Sequence, residues 1–212
     1  MATESTPMWS TIAAERAALA DDLAQLTDEQ WETPSLCEGS TVRDVLAHMA
    51  STAAMTPVRF FGSLARHGFR FEKMARHDIE TYRGASPAET LERFRSLVDA
   101  TTAPPGPALS WLGETIVHAE DIRRPLGIEH TYPSKAVREV AEFYQGSNLI
   151  LGTKRRIAGL HLAATDDPYA FGEVGRPLVA GPMLAMLLAM TGRRAGLADL
   201  QGDGVAVLGA RP

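Results

Sequence analysis

Three residues in this sequence have the chemistry of an open metal site: His48, Glu114 and His118. Glu114 and His118 are four positions apart, so on an α-helix they lie on one face, one turn apart, and reach a single ion together. His48, from a second helix, would complete a His-Glu-His triad. That donor set suits zinc or a similar divalent metal and leaves coordination positions open for water or substrate. A Glu-x-x-x-His pair also occurs as an ordinary solvent-facing contact, so its surroundings matter. Trp111, Glu114, His118, Asp121 and Ile122 share one side of their helix, and Leu112, Ile116 and Ala119 lie on the other. A solvated face does not usually carry both a tryptophan and an isoleucine, which points to a polar cluster lining a pocket.

The elements that must hold these residues are legible as helices. Trp9, Ile12, Leu19, Leu23 and Leu26 recur at helical steps and mark a first amphipathic helix. The stretch from Pro34 to Gly39 breaks the pattern. Thr41-Val-Arg-Asp44 then has the form of a capping box opening a second helix, with Val42, Val45, Leu46 and Met49 as its apolar stripe and His48 at the edge. A third helical region is expected from Thr56 to about Tyr82, with Gly62 and Gly68 as weak points in its continuity. Ser86-Pro-Ala-Glu89 opens a further helix to about Ala100. After the Pro104–Pro107 loop comes the helix of Glu114 and His118, expected to end near Arg123 ahead of Pro125.

A helix from Ser134 to about Leu151 follows, with Val137, Val140, Phe143 or Tyr144, and Ile150 available for packing. The periodicity then changes. Gly159 to Thr165 alternates as a half-buried strand does, and Phe171 to Ala180 reads as a turn and second strand. Pro182 to Thr191 reads as a short apolar helix, and Val205 to Leu208 as a final strand after the Gly202-Asp-Gly204 turn. The expected fold class is α+β: a helical metal-binding domain over 1–152 and a small α/β domain over 153–212.

The 212 residues are 45% hydrophobic and 22% charged, as in an ordinary globular protein. A net charge of −5 gives no electrostatic footprint for nucleic acid or an anionic membrane surface. The longest apolar stretch, Leu178 to Met190, is interrupted by Gly181-Pro182 and too short to span a bilayer. Met1 to Trp9 lacks the basic and apolar regions of a secretory signal, and the single cysteine, Cys37, fits a reducing compartment. The expected location is the cytoplasm.

Several residues carry two readings. Asp121 either orients a metal ligand or joins a helix C-terminal network with Arg123 or Arg124. Cys37 is either a fourth ligand or a packed, inert thiol. His161 is expected on a sheet face, and His67, His77 and His130 on the surface. Met183, Met186 and Met190 fall at helical spacing and are expected in a core. A metal-dependent hydrolase would need a general base beside bound water, for which Asp121 and Glu120 are the candidates. A metal- or small-ligand-binding sensor or stress protein without catalysis is the other class of reading.

The segment Trp31-Glu-Thr-Pro-Ser-Leu-Cys-Glu-Gly-Ser-Thr-Val-Arg-Asp-Val-Leu-Ala-His48 resembles the N-terminal signature of the mycothiol-dependent maleylpyruvate isomerase family, within the DinB-like metalloenzyme superfamily of four-helix bundles. Leu112 to Gly127 resembles its second signature, and Gly181 to Arg193 with Gly202-Asp-Gly204 resembles the small second domain of many members. The resemblance implies metal ligation by His48, Glu114 and His118, with mycothiol as co-substrate and a small electrophile as its partner in isomerisation or S-transfer. It also implies that Arg193, in Thr-Gly-Arg, assists catalysis. Members often carry tryptophan where this chain has Ser40, so a wall near the site is expected to differ.

Overall fold

Thr41 opens its helix as its chemistry requires. Its hydroxyl accepts from Asp44 N at 3.2 Å, and Asp44 returns a bond to Thr41 N at 3.0 Å, so two of the helix's unpaired N–H groups are satisfied. The same device starts a short helix at Thr27, where the sequence reading placed none. At Ser86 the hydroxyl caps Glu89 N, but the Glu89 carboxylate reaches Ala85 N instead of completing the box.

The computed structural model describes residues 5–149 and 151–212, and these fall into two compact units, Met1–Thr131 and Tyr132–Pro212. The first unit is helical: α1 (Ser5–Asp22), α2 (Asp28–Trp31), α3 (Val42–Ala53), α4 (Pro57–Arg66), α5 (Phe71–Arg83), α6 (Pro87–Arg95) and α7 (Ala108–Leu126). The single helix expected from Thr56 to Tyr82 is two, because Gly68 and Phe69 take positive φ of 64° and 60° and turn the chain. Pro125 does not end α7 at Arg123. It sits in the last turn, and left-handed Gly127 and Ile128 close the helix by donating to Arg124 O and Arg123 O.

Helix α1 packs on α6 and α7, and α3 packs on α5, α6 and α7. Ile12 and Leu19 from α1, Leu46 and Met49 from α3, Phe94 from α6, and Leu112, Ile116 and Ile122 from α7 fill the interior. Each such side chain contributes about 1.5–3 kcal/mol by leaving water. The buried guanidinium of Arg123 is held by Asp22 across from α1, at 2.7 and 2.8 Å.

In the second unit, α8 (Ser134–Gln145) and α9 (Thr153–Arg156) precede β1 (His161–Ala164), β2 (Ala170–Phe171) and β3 (Leu178–Gly181), then α10 (Met183–Met190), a 3-10 segment (Arg194–Asp199) and α11 (Gly204–Gly209). The sheet order is β2-β1-β3, with β1 antiparallel to β2 and parallel to β3. The unit begins earlier than the expected 152/153 boundary, because α8 packs its buried Val137, Val140 and Ala141 with α10 and α9. Ile150, also expected to pack, lies outside the described residues. Met183, Met186 and Met190 are core, as their spacing implied.

The expected strand Val205–Leu208 is the helix α11. A run of four apolar residues does not distinguish strand from helix. Here the free edge of β3 is met by Gln201, which exchanges backbone bonds with Ala180, while Asp203 caps Leu178 N at 2.7 Å. The chain leaves the sheet at that point and coils, burying Leu208. Among the described residues no helix is long and apolar enough to cross a membrane.

Candidate metal centre

Because α3 and α7 pack together, His48 from one and Glu114 and His118 from the other meet: one donor atom of each lies within 4.8 Å of the others. The two imidazoles sit edge to face, with centroids 5.0 Å apart. Glu114 Oε1 is buried and has no hydrogen-bond partner among the described residues. A buried carboxylate oxygen without a donor is costly unless a cation takes that place.

The electrostatics point the same way. Burial, and then the neighbouring charge of His118, hold His48 down at about 3, so its imidazole is neutral and has a lone pair to donate. Burial would lower His118 too, but hydrogen bonds with Asp121 and Cys37 and the charges of Glu114 and Asp121 outweigh it and raise His118 to about 10. Burial also raises the Glu114 carboxyl, against the charges of His118 and Arg16 and the hydroxyls of Thr52 and Thr115. Two histidines and a carboxylate oxygen with no donor of its own fit a divalent metal by donor chemistry.

Asp121 is fully buried and accepts from His118 Nδ1 at 2.8 Å. The bond holds the imidazole with Nδ1 as donor and Nε2 as the nitrogen left for a metal. The pairing with the histidine, one of the two readings of Asp121, is present. Arg123 turns to Asp22, and Arg124 to Glu120 at 3.1 Å, which also occupies the other candidate base.

Cys37 is half-buried. Its Sγ lies 3.0 Å from Asp121 Oδ2, to which it donates, and 3.7 Å from His118 Nδ1. It therefore sits on the Asp121 side of His118, grouped with those two residues and not with His48 and Glu114. The loop is pinned there: Leu36 N donates to Asp121 O at 3.1 Å, and Ser35 Oγ donates to Ser40 O at 2.8 Å. Ser40, where the resemblance implied a different wall, is part of this turn.

Sequence reasoning missed Arg16. Its side chain is almost wholly buried in α1, donates to Ala100 O at 3.0 Å, and its charge favours the ionised form of Glu114. The signal was present, since Arg16 interrupts the apolar spacing of Ile12 and Leu19 on that helix. The remaining histidines lie apart from the triad. His67 and His77 are in ring contact at 5.0 Å, His130 bonds Glu15 at 2.7 Å, and His161 lies on β1. Arg193 follows α10 in the second unit, with Nη1 donating to Thr191 O at 3.1 Å.

Residues 12–123, more than half of the chain, match the family model described as the mycothiol maleylpyruvate isomerase N-terminal domain. The chain belongs to that family. The matched span holds His48, Glu114, His118, Cys37, Asp121 and Arg16, whereas Arg193 lies beyond it. Two solved structures share the fold: the mycothiol-dependent maleylpyruvate isomerase, at a TM-score of 0.67, and a mutant of that enzyme with one histidine replaced by alanine, at 0.66. Each is 15% identical to this chain, and each alignment covers 98% of this chain and 95% of that one. No curated protein sequence shows significant similarity to the chain.

Proposed function

We propose that this member of the mycothiol maleylpyruvate isomerase family is a metal-dependent enzyme that activates a small thiol, mycothiol, for isomerisation of, or S-transfer to, a small electrophile. The observation that carries the reading is the convergence of His48, Glu114 and His118, with donor atoms within 4.8 Å, in a chain of this family. We take the four-helix bundle implied by the resemblance to be α1, α7, α3 and α6, a reading supported by the packing of α1 on α6 and α7 and of α3 on the same two helices.

His48, Glu114 and His118 would hold the ion, with zinc the metal that best suits two imidazoles and a carboxylate. When bound, such an ion acts as a Lewis acid and stabilises a thiolate over the thiol near neutral pH. The protein's own groups do the rest. Asp121 fixes the tautomer and direction of His118, and Arg16 favours the carboxylate form of Glu114. Arg193, in the second unit, would hold an anionic group of the substrate.

The test is turnover of a panel of electrophiles, maleylpyruvate included, by metal-loaded protein with and without mycothiol. Consumption that requires both metal and thiol supports the proposal. Thiol-independent turnover would indicate a hydrolase, and tight binding with no turnover a non-catalytic binding protein; either would overturn it. Arg193→Ala should lower kcat/KM for anionic substrates by about tenfold or more, as loss of a charge-assisted contact does, and leave metal content unchanged.

A further inference from the structure

Within the second unit lies a cavity of about 20 Å³ lined by Arg156, Arg193, Arg194 and Arg211, with Gly192 and Leu197 among its other walls. Three of these guanidinium groups are positioned by backbone carbonyls alone. Arg156 Nη1 donates to Leu151 O and Met190 O, each at 3.0 Å, and Arg194 Nη1 donates to Gly209 O at 3.2 Å. Arg211 Nη1 donates to Arg156 O and Ala158 O.

Every one of these bonds runs through Nη1. Among the described residues, the Nε–Nη2 edges of Arg156, Arg194 and Arg211 have no hydrogen-bond partner, and none of the three pairs with a carboxylate. That edge offers two parallel N–H groups in the geometry that matches a carboxylate or phosphate. Arg156 Nε is moreover buried, so solvent does not satisfy it. Burial first, and then the charges of Arg193 and Arg155, push the Arg156 guanidinium below its ordinary pKa. Gly192 packs closely on this guanidinium: a Cβ there would come within 3.1 Å of Arg156 Nη2.

If the arginines served only to staple the backbone, the carbonyl bonds would be their whole role. That role does not account for three forks without a carboxylate partner and a buried donor, all on arginines that line one cavity. We propose that Arg156, Arg194 and Arg211 form an oxyanion-binding site in the second unit, for the carboxylate or phosphate group of a small ligand. The cavity has room for about one oxygen-sized atom, so the rest of the ligand would lie outside it. The site does not depend on the thiol chemistry proposed above.

Calorimetric titration of the full-length, metal-loaded protein at low ionic strength and low chloride tests this, with inorganic phosphate in one arm and succinate in the other. Saturation at one anion per chain below about 1 mM is expected in at least one arm, weakening as salt is added. The tighter arm tells a phosphate ligand from a carboxylate one. Arg194→Gln should weaken binding about tenfold, since Arg194 is exposed and has only the Gly209 contact to lose. Melting in the absence of anion reports on its fold, and Arg211→Gln is a second variant expected to weaken binding as much. His48→Ala should bind the anion as the parent does, so this result stands apart from that of the turnover test. Absence of saturation in both arms, or parental affinity in folded Arg194→Gln and Arg211→Gln, would overturn the proposal.

Discussion

Replacing Asp121 by asparagine separates two effects that act together at the metal centre. In the metal-free protein His118 is held at about 10, and the bond from its Nδ1 to Asp121 at 2.8 Å is the first of the contacts that raise it. A histidine raised above its unfolded value of about 6.5 contributes stability that is fully present below that pH and is lost as pH rises through about 10. At pH 7.5 His118 therefore carries a proton that an incoming metal must displace, which costs about 2.5 decades of apparent affinity. Affinity should rise about tenfold per pH unit between pH 7 and 9.

Asparagine preserves the shape and still accepts the N–H, but it removes the charge. His118 then falls toward its ordinary range, the proton competition fades, and the pH slope flattens. The same change loosens the orientation of the ligand, which typically costs about 10–100-fold in metal affinity. Cys37 and Glu114 still raise His118 in the variant, so at pH 7.5 the relief is at most about 300-fold, and Asp121→Asn should bind metal at most about 30-fold more tightly than the parent. At pH 9 the relief is at most about tenfold, and the variant should bind no more tightly than the parent. Competition titrations of zinc against a chromophoric chelator from pH 7 to 9 read both curves. Parallel profiles for parent and variant would refute the assignment of the His118 proton to Asp121.

His48→Ala and His118→Ala should each reduce bound metal from about one per chain to below a tenth of that, by elemental analysis of purified protein, since two remaining ligands hold zinc poorly. Full occupancy in both would remove the triad from consideration. Thr41→Ala deletes the cap of the helix that carries His48 and should cost about 1 kcal/mol, which lowers the melting temperature by about 2–4 °C in a chain of this size. Metal content at 25 °C should not change. An unchanged melting temperature would mean the cap contributes nothing, and loss of metal would mean it shapes the site directly.

The candidate metal centre was legible in the chain because its three residues obey local rules. Glu114 and His118 are one helical turn apart, and His48 lies two turns beyond a capping box that fixes where its helix begins, so the face each occupies follows from spacing. The apolar stripes of α3 and α7 were legible too, and with them that the two helices bury their faces. The Met183–Met190 helix was equally plain. Signals confined to one turn or one helix face survive in one dimension, since the periodicity that encodes them is the periodicity of the backbone itself.

Contacts between segments far apart in the chain were settled only by packing. That Arg123 bonds Asp22 depends on α1 being brought to α7, across a hundred residues. Cys37 approaches the Asp121 side of His118 because its loop is tied to α7 by Leu36 N, a bond no motif announces. Val205–Leu208 is apolar enough for a strand, and it coils because Gln201 already meets the edge of β3. The same holds for Arg156, Arg194 and Arg211, far apart in sequence and gathered about one cavity by the fold of the second unit. Burial and charge partnership are properties of neighbours in space, and neighbours in space are what folding, not spacing, supplies.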